Sequence, residues 1–336
     1  MKRLLWATHR LRDDMSASSR LGIADALAAA GWQVDWASPD GDLVVPRSRR
    51  LGRGHRSFTR NMARVLAGAD LSVYQVAIIE WPAVSGALES LLGAGLPWLI
   101  MDRSPPVSTG LVGYFQRLQH KEAWNMARVF AAGRVVKSAH MGASESWSKP
   151  SATVLAGVHP EAFSLAPLNP AVRLVCHGSL APVRELHRLD ALGHPVHLFG
   201  HGAKGLRGTN LEVEGPTDIA GVATRLQAAD IGILHLPDRP VWSHASPLKV
   251  AEYAAAGLCV VASAVSGLEG LRDAPWLRLI PLGDDAALAS AVAEFAAMDI
   301  EVRRELGRQA RADAATHLSW SVVTRPLIAL LDEVAR

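Results

Sequence analysis

Lys249 and Glu252 stand three residues apart in a stretch, residues 246–257, that reads as a helix. Ser246 is a residue type that caps a helix, Pro247 suits its first position, and Gly257 supplies a stop. A separation of three is close to one turn, so the two side chains share a face. The first turn of a helix carries unpaired N–H groups and the positive end of the peptide dipoles, which attract phosphate. A lysine there runs against the usual preference for acids, and a bound phosphate would account for it. A carboxylate one turn further on can accept hydrogen bonds from two adjacent ribose hydroxyls. The competing reading is a solvated Lys–Glu pair on a surface helix, and the spacing alone leaves both open.

Such a helix must be delivered by strands. Short apolar runs at 3–7, 33–37, 71–76, 98–101, 129–131 and 153–155 read as strands, with a helix over 19–30. A second set follows at 173–176, 196–199, 211–213, 231–235, 258–262 and 277–280. Alternating strands and helices imply parallel sheets covered on both faces. The proline-containing stretch 166–170 reads as a linker. The expected fold class is α/β: two Rossmann-like, doubly wound domains, 1–167 and 168–316. The carboxyl ends of their strands are expected to face a common cleft.

The chain has 336 residues, 49% hydrophobic and 20% charged, with a formal net charge of +3, which excludes disorder and gives no global nucleic-acid signature. Cys176 and Cys259 sit in apolar runs and read as reduced core thiols. No signal-peptide pattern and no membrane-length apolar run is evident, so a cytoplasmic protein is expected, with peripheral contact at the inner membrane face open. The thirteen histidines lack metal-ligand spacing, so no metal and no cofactor are expected.

Several loops should lie at the carboxyl edge of the first domain. Residues 8–19 include His9, Ser16, Ser18 and Ser19; Ser18 or Ser19 reads as a helix cap, and the absence of G-x-G-x-x-G argues against a dinucleotide dehydrogenase. Residues 47–60 hold six arginines, Arg53 among them. They suit phosphate or anionic lipid head groups, or form a solvated loop; nucleic acid is disfavoured because stacking aromatics do not alternate with them. Asp102 follows a strand and could meet an acceptor hydroxyl or cap a turn. Trp81 could stack on a sugar or belong to the core.

The segment SPLKVAEYAAAGLCVVAS, 246–263, resembles the donor-site signature of GT-B glycosyltransferases, especially retaining glycosyltransferase family four, the group 1 glycosyltransferases. Four further stretches are similar to that family in the same order: LAGVHPEAF at 155–163, CHGSLAPVR at 176–184, AADIGILH at 228–235 and WSVVTR at 320–325. The resemblance implies transfer of a sugar from a nucleotide-diphosphate donor to an acceptor hydroxyl, with retention, in glycan, glycolipid or glycosylated-metabolite biosynthesis. It implies donor binding by Gly178, Ser179, Ser246 and Glu252, with Glu252 on the ribose. Arg184 and Lys249 would face the departing diphosphate, without a metal ion. It also implies that residues 317–336 form a C-terminal helix packing back on the first domain.

Two positions depart from the family pattern. His244 stands where the first acid of an E-x7-E arrangement is usual, and Ser179 where an arginine is usual. His244 would meet the sugar or its proximal phosphate. The acceptor, whether a sugar, a lipid-linked molecule or a small metabolite, would lie by His9, Ser16, Ser18, Arg53 and Asp102. Members that use lipids often carry a basic surface on the first domain. The departures keep two alternatives in view: a sugar-nucleotide epimerase or hydrolase, and a non-catalytic nucleotide-sugar binding module on the same frame.

Overall fold

The computed structural model describes residues 2–12, 17–47, 54–103, 105–106, 108, 110–138, 147–167 and 171–335. The chain divides into two compact units, 1–154 with 324–336, and 155–323.

The first unit holds a sheet of seven parallel strands. Its elements are β1 (Lys2–Ala7), α1 (Ala17–Ala29), β2 (Trp32–Ser38), β3 (Leu43–Val44), α2 (Gly54–Ala67), β4 (Val76–Glu80), α3 (Val84–Gly93), β5 (Trp98–Asp102), α4 (Gly110–Phe130), β6 (Gly133–Val136) and β7 (Ser151–Thr153). The strand order is β3-β2-β1-β4-β5-β6-β7, so the winding reverses between β1 and β4. Strands buried on both faces need continuous apolar runs, and Leu4, Leu5, Val76 to Ile79 and Leu99 to Met101 are all essentially inaccessible.

The second unit repeats the plan with six parallel strands. It contains β8 (Leu174–Ser179), β9 (Val196–His201), β10 (Leu211–Glu214), α5 (Ile219–Leu226), β11 (Ile231–Leu234), α6 (Pro240–Ser243), α7 (Leu248–Ala255), β12 (Cys259–Ser263), β13 (Leu277–Ile280), α8 (Asp285–Ala297), α9 (Ile300–His317) and α10 (Trp320–Val323). Its order is β10-β9-β8-β11-β12-β13. The final helix, α11 (Arg325–Val334), belongs to the first unit, where it packs beside β7 and Asp332 pairs with Lys2 at 2.6 Å.

The unit boundary falls at residue 154 rather than at the linker expected near 167. Val158 and Phe163 explain the shift: both are buried in the second unit's core, and Val158 exchanges backbone hydrogen bonds with Leu318 and Trp320. Likewise 317–323 stays with the second unit, and only the stretch from Thr324 onward joins the first. The run 129–131 is not a strand, because α4 continues to Phe130 and the strand begins at Gly133. The run 71–76 splits into a 3-10 turn, Leu71–Val73, and the start of β4.

Candidate functional site

The best-formed cluster of chemistry-bearing side chains expected from sequence lies in the second unit, where β8 ends and α7 begins. β8 carries Cys176, His177, Gly178 and Ser179 at its carboxyl end, and a 3-10 turn, Pro182–Arg184, follows. Gly178 has φ +96°, and a Cβ there would come 2.9 Å from Lys249 Cε. Glycine is therefore required both by the backbone and by the approach of the lysine. Its β9 partner, Gly200, is similarly constrained: a Cβ at that residue would lie 1.8 Å from the Gly178 carbonyl oxygen.

Lys249 is the second residue of α7, and its ammonium nitrogen has no hydrogen-bonding partner among the described residues although it is shielded from solvent. Burial pulls its pKa from 10.5 down to about 8, with the nearby Arg184 acting in the same direction and Glu252 against it. Arg184 is itself buried; its guanidinium lies over the Trp242 ring at 5.1 Å, and its Nε is unpartnered. Burial lowers its pKa as well. Two buried cations with unfilled donors, side by side, are costly unless an anion joins them.

Glu252 is buried one turn along α7, with Oε2 3.1 Å from His177 Nε2. The contact has ion-pair distance but not the alignment of a hydrogen bond. The His177 ring stacks on Phe199 at 5.1 Å and meets Tyr253 edge-on. Tyr253 fills the space left by Gly232, where a Cβ would lie 2.4 Å from its ring, and its hydroxyl accepts from His177 N at 3.3 Å. The imidazole is thus fixed against the carboxylate. His177 lay inside the CHGSLAPVR motif, but no spacing rule marked it as a partner of Glu252.

Ser246 does not cap α7. Its hydroxyl accepts from Ala156 N at 2.7 Å, and Pro247 occupies the cap position with no side-chain cap. The first N–H groups of α7 are left without a side-chain acceptor, which suits an incoming anion. His244 is exposed and follows α6; the loop it belongs to is pinned where Gly267 N donates to Ala245 O at 3.0 Å. Ser179 is half-buried at the end of β8. A cavity of about 340 Å³ lies on another flank of the same unit, lined by Leu155, Ser246, Val250, Asp273, Asp313 and His317, and it includes neither Lys249, Arg184 nor Glu252.

The first unit brings together fewer of the expected residues. Ser16 and Arg53 lie outside the described residues. Ser18 and Ser19 sit inside α1, which begins at Ala17, so neither is the cap. The His9 carbonyl accepts from Arg47. Asp102 caps no turn: it ends β5 and is buried, with Oδ2 2.5 Å from His120 Nε2 and accepting from Trp124 Nε1 at 3.0 Å. Its carboxylate therefore cannot meet an acceptor directly; the partly exposed His120 is the group it presents. Trp81 meets His120 edge-on at 5.1 Å, combining a half-buried position with a place beside that pair. His120, in mid-helix, gave no sequence signal. At the β1–β4 reversal, Thr8 Oγ1 donates to Glu80 at 2.7 Å; burial raises the Glu80 pKa. Both cysteines are free and buried, and burial pushes Cys259 up to about 12.

Residues 164–329 match the Glyco_trans_1_2 family profile, described as glycosyl transferase-like. No curated protein matches the chain. Among solved structures, sucrose-phosphate synthase from Thermosynechococcus elongatus is similar over 99% of both chains, with 19% identity and a TM-score of 0.75. Anabaena HepE in complex with UDP and glucose is similar over 99% of this chain and 100% of its own, with 14% identity and a TM-score of 0.72. WaaG, a glycosyltransferase involved in lipopolysaccharide biosynthesis, is similar over 98% and 99%, with 13% identity and a TM-score of 0.69. With two parallel doubly wound sheets, the chain has the GT-B fold of these glycosyltransferases, and the stretch 164–329, which holds Lys249 and Glu252, carries the glycosyl transferase-like match of a transferase enzyme.

Proposed function

We propose that the second unit binds a nucleoside diphosphate-sugar and that the enzyme transfers its hexose-type sugar, with retention, to an acceptor hydroxyl. The observation that carries this reading is the unpartnered, shielded ammonium of Lys249 beside Arg184, whose Nε is also unpartnered, at the uncapped start of α7. A diphosphate supplies the missing acceptors and the counter-charge, so binding relieves a cost already present in the free protein.

In this reading Lys249 and Arg184 stabilise the negative charge that develops on the diphosphate as the anomeric C–O bond breaks. Glu252, positioned by His177, holds the ribose hydroxyls. In a retaining transfer the departing phosphate oxygen can take the acceptor's proton, so no protein base is needed at the anomeric carbon. Ser179 and His244 contact the diphosphate or the sugar, and no metal is required because the cationic side chains do its work. His120, oriented by Asp102, replaces Asp102 as the first unit's candidate for an acceptor hydroxyl, whether on a sugar, a lipid-linked molecule or a small metabolite.

UDP is the first nucleotide to try, since the similar HepE structure contains it. Incubation with a panel of nucleotide sugars, with and without candidate acceptors, tests the reading. Diphosphate release that needs an acceptor, persists in EDTA and yields a product with the donor's anomeric configuration is expected. Release without acceptor would point to hydrolysis or epimerisation instead, and binding without release to a non-catalytic module.

A further inference from the structure

Glu185 follows Arg184 and has a backbone conformation that its residue type avoids. Its φ is +54° and its ψ 32°, and among the described residues it is the one non-glycine with a positive φ. A Cβ strains the left-handed region, which glycine occupies freely. Strain of this kind persists only where the surroundings hold it, and it gathers at functional sites.

Ion pairs do the holding. Glu185 Oε1 lies 3.1 Å from Arg239 Nη2, and Oε2 lies 2.8 Å from Arg188 Nη2. Arg188 is anchored in turn on Asp285, in the first turn of α8, at 3.0 Å. Arg239 directly precedes α6, and Trp242, three residues on, is the ring under the Arg184 guanidinium. The turn 182–185 and α6 are thus fastened twice, by Glu185 to Arg239 and by Arg184 to Trp242. Glu185, Arg188 and Arg239 all keep partial access to solvent, where ion pairs add little stability. Stability therefore does not account for a glutamate where glycine would fit better. Arg184 does need holding: it is buried beside Lys249, and the two cations repel. A long flexible arginine next to a like charge would otherwise carry its head toward water.

We propose that Glu185 is a positioning residue of the donor site: it clasps Arg239, keeps α6 and Trp242 closed on Arg184, and so holds that guanidinium beside Lys249 before a diphosphate arrives. It rests on the donor site proposed above. Glu185 itself touches no substrate and acts through Arg184. A cation already in place spares the cost of ordering it at binding.

Two readouts on the full chain test the clasp. Glu185→Gly removes the carboxylate but relieves the backbone, so it should melt at about the wild-type temperature or above while UDP affinity falls about fivefold or more. A merely structural glutamate would lower the melting temperature and spare the affinity. In the ligand-free protein, Trp242 N donates to Arg239 O and Ala245 N to Trp242 O, both at 2.9 Å, inside the segment that the clasp holds. Hydrogen exchange across 239–245 should therefore quicken about tenfold in E185G. R239Q should reproduce both effects, R239K should restore most of the UDP affinity, and E185Q/R239Q should lose no more than either single variant. The proposal is overturned if E185G binds UDP like the wild type or if exchange across 239–245 is unchanged. It is equally overturned if the losses of E185Q and R239Q add, since Arg239 would then act on the nucleotide directly. A wild type that binds no nucleoside diphosphate refutes the donor site rather than the clasp, which the exchange rates decide by themselves.

Discussion

His177 Nε2 stands 3.1 Å from Glu252 Oε2, both side chains nearly closed off from solvent, with the imidazole clamped between Phe199 and Tyr253. A carboxylate held this firmly is pre-organised for a vicinal diol. Glu252→Gln should therefore weaken nucleotide binding by about 2 kcal/mol, the worth of hydrogen bonds to a charged group. Calorimetric titration with UDP reads the loss, and an unchanged affinity would remove the ribose role.

Lys249 links binding to pH. Its pKa falls from 10.5 to about 8 through burial, so between these values the unfolded chain binds more protons than the folded one. The stability of the ligand-free protein should rise with pH across that window as far as Lys249 contributes. A bound diphosphate reverses the preference by favouring the ammonium, so UDP affinity should fall as the pH rises above about 8. Lys249→Met should lose about tenfold or more in UDP affinity, abolish that pH dependence and leave the melting temperature at neutral pH equal or higher. Thermal melts and titrations at several pH values separate these effects.

Gly178→Ala meets two obstacles, a backbone with φ +96° and the Lys249 side chain 2.9 Å from the new methyl group. The expected cost is about 1–3 kcal/mol in stability, with UDP binding impaired beyond that because Lys249 must move. Gly193, whose φ is +70° with nothing near its Cβ position, is the control: Gly193→Ala should cost stability but spare UDP affinity.

Asp102 and His120 make a different kind of claim. If His120 presents an acceptor-binding nitrogen fixed by Asp102, then His120→Gln should raise the acceptor KM or lower acceptor-dependent turnover while leaving UDP binding unchanged. Asp102→Asn should do the same, because the ring loses the carboxylate oxygen at 2.5 Å that orients it. Full activity in both variants would assign the pair to structure alone.

Much of this architecture was legible because strands buried on both faces must be nearly continuous apolar runs, as at 98–102, 231–234 and 259–263. The helix carrying Lys249 and Glu252 was legible from its starter residues and its glycine stop. Its cap was not: the Ser246 hydroxyl is taken by Ala156 N, ninety positions away, a tertiary contact that local rules cannot see. The same holds for His177 against Glu252 and His120 against Asp102, which only the folded strands bring together. Residues 129–131 read as a strand because apolar Val129 and Phe130 look alike in either element, yet both end α4 exposed. Leu111, Phe115 and Leu118, exposed on α4, went unread for a related reason: apolar periodicity shows that a helix has a face, not which way it points.

The Lys249–Arg184–Glu252 cluster stands or falls as a nucleoside-diphosphate site by one titration. Titration of the wild type and of K249M with UDP by calorimetry at pH 7 tests it most directly. Saturable one-to-one binding to the wild type is expected, competed by the donor sugar nucleotide and weakened about tenfold or more by the substitution. No binding of any nucleoside diphosphate to the wild type, or equal affinity in K249M, would contradict it.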